Sequence, residues 1–234
     1  MNYSYDFASI PGIMLDIMKA FPLTLEILLL SLIIALLIGL LVTAGSLSRS
    51  KKLKAVSQGY ISFMRGIPTL VLIFLLYLGL PQVLENFGID IANMNKSVFI
   101  IATLSLCTSA NMAEMMRAAY LAVDKGQREA ALSVGMKPVT AFRRIIFPQA
   151  LGIAIPTFGN NLIILFKETS LGFTIGVVDL LGQARAISAA HYGANRLETY
   201  IAAGIIYWII CVVLEQITKL VEKMYTKGRK TATS

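Results

Sequence analysis

Apolar residues fall along this chain in long runs separated by short basic stretches, and the run lengths set the first expectations. A helix that crosses a bilayer needs about 20 largely apolar residues. Residues 27–48 form such a run, free of charge and dense in Leu and Ile. Residues 66–84 form a second, with Pro68 in its first turn, and residues 97–113 a third that should run on through Glu114 toward Tyr120. Residues 149–166 form a fourth, expected to be interrupted at Pro156 and Gly159. Residues 199–214 form a fifth, continuing as helix to Val221. The stretch 169–184 is apolar but short and rich in Gly, so a re-entrant or broken segment fits it better than a sixth span. Ahead of the first run, Ile13, Met14, Ile17, Met18 and Phe21 recur at helical spacing within residues 10–21. They predict an amphipathic helix lying on the membrane surface. The basic n-region and cleavage site of a signal peptide are missing, so none is expected. The chain thus divides into a tail and amphipathic helix (1–22), an all-α transmembrane domain (23–221) and a basic tail (222–234).

Composition supports this reading. Of 234 residues, 56% are hydrophobic and 15% charged. Soluble domains carry about 25% charged residues. A soluble fold of this size must still cover itself with polar surface, so the numbers exclude an ordinary soluble core and a disordered chain. Cys107 and Cys211 both lie in apolar runs and do not form a disulfide framework. One His and two distant Cys leave no metal site.

The net charge of +8 reads as a topology signal rather than nucleic-acid binding. Sixteen of the 21 cations cluster in Arg49–Arg65, in the long third connection with Arg117, and in the C-terminal tail. Lys19, Lys96, Lys167, Arg185 and Arg196 remain for the other side. Five spans then place the C-terminus in the cytoplasm and the N-terminus outside a bacterial cytoplasmic membrane.

The third connection, within residues 124–148, is built unlike a simple loop. Helix formers run from Gln127 through Glu129, Ala130 and Ala131 to Gly135, which suits a left-handed helix end. Pro138 suits the first turn of a second helix, on which Val139, Phe142, Ile145 and Ile146 make an apolar stripe beside Arg143 and Arg144. Pro148 is expected to close the unit. Two amphipathic helices in so short a connection point to a docking surface for a cytoplasmic partner, not to a mere link.

Glu129-Ala130-Ala131, Gly135 and Ile145-Ile146-Phe147-Pro148 resemble the EAA signature of ABC importer permeases, with Phe147 standing where the signature has Leu. Arg65-Gly66-Ile67-Pro68-Thr69-Leu70, the stretch from Asn111-Met112-Ala113-Glu114 to Arg117, Pro148-Gln149-Ala150-Leu151, Gly159-Asn160 and Lys167-Glu168-Thr169-Ser170-Leu171 resemble its polar amino acid subfamily. The resemblance covers residues 21–221. It implies a type I importer permease fold with five transmembrane helices per subunit and two subunits per pore. The second subunit is another copy or a related permease. The signature helix docks on an ABC ATPase subunit. Substrate arrives from a separate extracellular binding protein. Glu129 and Gly135 are then the coupling residues, with Ala130, Ala131, Arg143, Arg144 and Pro148 in the same unit. No phosphate loop of the Gly-x-x-x-x-Gly-Lys-Ser/Thr kind occurs, so ATP is used by the partner and no cofactor is expected on this chain.

Polar residues inside spans are candidates for the substrate path, since leaving a charge in hydrocarbon costs about 2.5–3.5 kcal/mol on insertion scales. Asn111 and Glu114 share a helix face. Asn160 and Asn161 follow Gly159, and Glu168, Thr169 and Ser170 sit where the fourth span gives way to the broken segment. A zwitterion needs an acceptor for its ammonium, such as Glu114 or Glu168, and donors for its carboxylate. The competing reading pairs Glu114 with Arg117 within the helix and uses the Asn residues to bridge helices. Ser105, Thr108 and Ser109 are expected to permit close helix packing. The leading expectation is the membrane subunit of an ATP-driven importer of a polar amino acid, with cystine or another polar or charged amino acid as the substrate guess. The alternatives are a stand-alone channel or secondary carrier, and an intramembrane enzyme, for which a lone His191 is poor equipment.

Overall fold

The structure, a computed structural model, describes residues 6–227, which are mostly helical, with no strand among them. A short helix α1 (Ile10–Met18) precedes α2 (Phe21–Ser46). Next come α3 (Lys51–Gly66), α4 (Thr69–Phe74), a π-helical turn at Leu75–Gly79 and α5 (Leu80–Glu85). The third span is α6 (Lys96–Leu121). The third connection holds α7 (Lys125–Ser133) and α8 (Pro138–Ala141), and a π-helical turn at Phe142–Ile146 leads into α9 (Phe147–Thr169). A 3-10 turn at Ser170–Ile175, α10 (Leu180–Ala190) and α11 (Arg196–Lys227) complete the order. Among the described residues four helices are long and apolar enough to cross a membrane, or five spans if the bent pair Lys51–Gly66 and Thr69–Glu85 is counted as one.

Lipid offers no hydrophobic drive between helices, so close packing of small residues does the work. On α2, Ser31, Ala35, Gly39 and Thr43 recur every fourth residue and are all buried. Facing them, Ser105, Thr108 and Ser109 of α6 are buried as the sequence led us to expect. A Cβ at Gly39 would lie 3.1 Å from Met112 Cβ and 3.2 Å from Ser109 O, so glycine lets the two backbones approach without a tight contact. Thr43 Oγ1 donates to Ala113 O across the same seam at 3.1 Å. The opposite side of α2 leaves Leu29, Ile33, Leu37 and Leu41 exposed, as a lipid-facing surface requires.

Several expectations are corrected. The second span does not begin at Gly66. Pro68 forces Ile67 into extended backbone, which ends α3 and turns the chain by 101° before α4 starts at Thr69. Residues 51–66, read above as basic connection, are thus a helix of their own. Pro148 does not close the cytoplasmic unit either. Residues 138–175 run as one apolar rod. The π-helical turn widens the spiral just ahead of the proline, with Phe147 N–H donating to Phe142 O, so the ring sits near a helix start and does not break a ladder.

Nor do Pro156 and Gly159 interrupt the fourth span: α9 is continuous through both. Gly159 instead lets α9 meet Thr218 of α11, whose side chain occupies the space a Cβ would take. The amphipathic helix ends at Met18, short of Phe21, and buries Ile13 and Ile17 against protein, packing on α10 and α11. The fifth span is longer than expected and reaches Lys227, so part of the basic tail is helix. The expectations for residues 1–5 and 228–234 lie outside the described residues.

Segment 169–184 is broken, as expected. Gly176 adopts a left-handed conformation (φ 81°) that closes the 3-10 turn, and Asp179 caps α10 by accepting from Gly182 N at 2.9 Å. Thr24 Oγ1 accepts from Leu180 N, which fastens this segment to α2.

Candidate functional site

Two regions carry the candidate residues, and one helix joins them. The first is the α7–α8 unit. Asp124 caps α7 by accepting from Gly126 N at 2.7 Å. At the other end Gly135 has φ 82°. Its N–H reaches Leu132 O at 3.0 Å, and Met136 N–H reaches Ala131 O at 3.1 Å. This is the Schellman arrangement, which satisfies the last carbonyls of a helix and needs a left-handed residue at the turn. Lys137 is extended ahead of Pro138, and α8 turns back across α7. Ala131 of α7 and Ala141 of α8 are almost fully buried, and the two short helices pack on each other.

What remains outside is the surface of the motif. Arg128, Glu129, Ala130, Gly135, Arg143 and Arg144 are all exposed, with Leu132, Val134 and Val139 bare beside them. A groove of about 380 Å³ runs past Tyr120, Asp124, Arg128, Glu129, Leu132 and Ile146. Apolar side chains flanked by both signs of charge suit a protein partner rather than water or lipid. Below this surface the unit is anchored. Tyr120 of α6 packs on Phe142, and Phe142 on Phe147, with ring centroids 6.3 and 6.0 Å apart. Gln149 Nε2 donates to Gln127 Oε1 at 3.3 Å. Pro148 is half-buried in the rod behind the docking surface.

The second region lies between α3, α6 and α9. Asn111, Glu114 and Asn161 come together around a cavity of about 230 Å³, with Arg65 of α3 and Thr157 of α9. Glu114 is held by Arg117 in a two-point pair, Nη2 to Oε1 at 2.6 Å and Nε to Oε2 at 3.0 Å. The helix pair weighed against a substrate role is therefore formed, yet the carboxylate still borders the cavity. Arg65 makes no ion pair among the described residues. The cavity thus offers a carboxylate, a guanidinium and two amides, which is the set a zwitterion requires.

Glu168 stands apart from this cavity, seven residues along the same face of α9 from Asn161. It is half-buried, and its Oε1 accepts from Thr69 Oγ1 at 3.1 Å. Buried Cys107 lies against both. Asn160 is exposed on the neighbouring face with Lys167 and does not line the cavity. Thr169 is fully buried with its hydroxyl donating to Phe166 O, and Ser170 donates to Lys167 O. Sequence reasoning missed Arg65 and Thr157 as members of the cavity lining and Thr69 as the partner of Glu168. Arg65 was absorbed into the charge bias, though its place beside the Gly-Ile-Pro turn was a signal. No cluster of three metal-ligating side chains exists among the described residues.

With that geometry in place, comparison with known proteins is specific. Residues 31–227 match the family model described as "Binding-protein-dependent transport system inner membrane component". The chain is 40% identical over 92% of its length to the probable amino-acid permease protein YxeN of Bacillus subtilis (strain 168), covering 93% of that protein. It is 36% identical over 98% of its length to the L-cystine transport system permease protein TcyL of the same organism, covering 95% of that protein. Among solved structures it resembles a chain of an amino acid ABC transporter crystallised with histidines, at 33% identity and a TM-score of 0.83, over 94% of this chain and 99% of that one.

Proposed function

This chain belongs to the family of binding-protein-dependent transport system inner membrane components and is an amino acid ABC transporter permease, a transport subunit rather than an enzyme, and from that premise we propose how it works and what it carries. The α7–α8 surface, with Glu129 and Gly135 at its centre, docks on an ABC ATPase subunit. Ala130, Ala131, Arg143 and Arg144 shape that surface, and Pro148 sits in the rod behind it. ATP is bound by that partner and not by this chain. A second permease, identical or related, covers the exposed polar face of α9, since Asn160 and Lys167 are costly in lipid. An extracellular binding protein delivers the substrate. The C-terminus is cytoplasmic and the N-terminus outside.

One observation carries the coupling. The rod over residues 138–175 carries Val139, Arg143 and Arg144 of the docking surface at one end, where it packs on α7, and Asn161 and Glu168 along its length. A displacement at α8 therefore reaches the polar lining without crossing a flexible joint other than the π-helical turn. Arg65, Asn111, Glu114 and Asn161, followed by Glu168, form the path for a small zwitterion. Thr169 and Ser170 stand behind its walls, and Asn160 lies on the face given to the second permease. Of the amino acids, L-cystine is the first to test: a relative bears that name, and the outer side carries Lys96, Lys167 and Arg185 for a substrate with two carboxylates. The test is uptake into vesicles holding the permease, its ATPase and its binding protein, across a panel of amino acids. Uptake of L-cystine above the rest supports the assignment; preference for another amino acid replaces it.

A further inference from the structure

Helix α3 has three faces. At about 100° per residue, Ser57, Ile61 and Met64 point one way, and Ser57 and Ile61 are buried against α2 and α6. Tyr60 fixes the helix there, its hydroxyl 2.7 Å from Ser109 Oγ and donating to Leu106 O at 3.1 Å. To one side of this contact face lie Leu53, Val56 and Phe63, exposed at 55%, 71% and 57%. To the other side lie Lys51, Lys54, Gln58, Ser62 and Arg65, also exposed. The 101° bend before α4 lays α3 across the span it precedes. A helix with one flank apolar, one flank cationic and its middle docked on transmembrane helices has the build of an interfacial helix.

The charge identifies what lies outside. Between residues 27 and 84 the chain has five cations, Arg49, Lys51, Lys52, Lys54 and Arg65, and not one Asp or Glu. Lys51, Lys52 and Lys54 join no ion pair among the described residues. Topology alone asks for cations near the span end, but not for an apolar stripe in register with them. We propose that α3 is a binding surface for anionic phospholipid of the leaflet it borders. Acyl chains lie along Leu53, Val56 and Phe63, and the lysines of the first turns hold the phosphate headgroups. Each lysine at an anionic surface is worth about fivefold in partitioning. The proposal takes its leaflet from the orientation given above, but its test does not depend on that orientation.

The test counts lipids retained by the purified permease–ATPase complex from equimolar phosphatidylglycerol and phosphatidylcholine, by native mass spectrometry. The wild type should retain phosphatidylglycerol preferentially. Lys51→Gln, Lys52→Gln and Lys54→Gln together should lower that preference roughly tenfold or more, while Lys219→Gln with Lys223→Gln leaves most of it. Co-purification of the ATPase certifies that the variants are folded. Equal retention of the two lipids by the wild type, or an unchanged preference in the triple variant, overturns the proposal. A second reading places a fluorophore at Val56→Cys in a Cys107→Ala, Cys211→Ala background. Brominated acyl chains should quench it. Absence of quenching, or cross-linking of this position to a second permease copy, assigns the face to protein and refutes the lipid site.

Discussion

At Gly159 the absence of a side chain is what joins two spans. The methyl group and hydroxyl of Thr218 fill the space, and threonine is stiff about χ1, so neither partner yields without moving a helix. Gly159→Val should therefore destabilise the protein by about 1–3 kcal/mol, read as a lower thermal midpoint in detergent; an unchanged midpoint means that α9 and α11 are not in this contact. The neighbouring Asn residues are set apart by burial and direction. Asn161 borders the cavity with Asn111 and Glu114, while Asn160 faces outward. We expect Asn161→Ala to raise the KM for uptake and Asn160→Ala to change it less, with the ATPase still bound in both; equal effects would remove the distinction. Sequence alone could not separate adjacent residues of the same type, because a one-residue step of about 100° decides which faces the cavity. Arg65 shows the same limit. Its membership depends on where the Pro68 bend aims α3, and that direction is a tertiary outcome.

Helix ends were the most legible elements. Gly135 was expected to be left-handed, and φ 82° with both Schellman bonds fits that expectation because the requirement is local. Helix interiors were less legible. Pro156 and Pro148 carry strong breaking propensity, yet both sit within the rod over residues 138–175: the π-helical turn sets Pro148 near a helix start, and α9 runs on through Pro156. Helix α3 escaped notice because its lysines read as connection. Gly135→Val places a β-branched residue at φ above zero, which costs about 1–3 kcal/mol locally. Glu129→Lys reverses the charge at the centre of the exposed surface. Each variant should still insert in the membrane at near-normal levels, since both positions lie outside the spans. Each should lose ATPase co-purification or separate ATP hydrolysis from uptake. Wild-type association and uptake in both would detach α7 from coupling.

For the molecule as a whole, the apolar runs determine an all-helical membrane subunit, and the charge bias determines its proposed orientation. A reporter fused after Ser234 should be active in the cytoplasm and a tag before Met1 accessible from outside; the reverse pattern contradicts the orientation. The central claim is that one rod links an ATPase-docking surface to a polar lining that passes an amino acid inward. The most direct measurement is uptake of labelled L-cystine and the other polar amino acids into vesicles containing the permease, the ATPase and the binding protein, with ATP on the α7 side. The account predicts uptake that requires ATP, is abolished or uncoupled by Glu129→Lys, and shifts in KM with Asn161→Ala. Uptake that persists without ATP and is indifferent to Glu129→Lys would contradict it, and would mark the chain as a path that needs no docking surface.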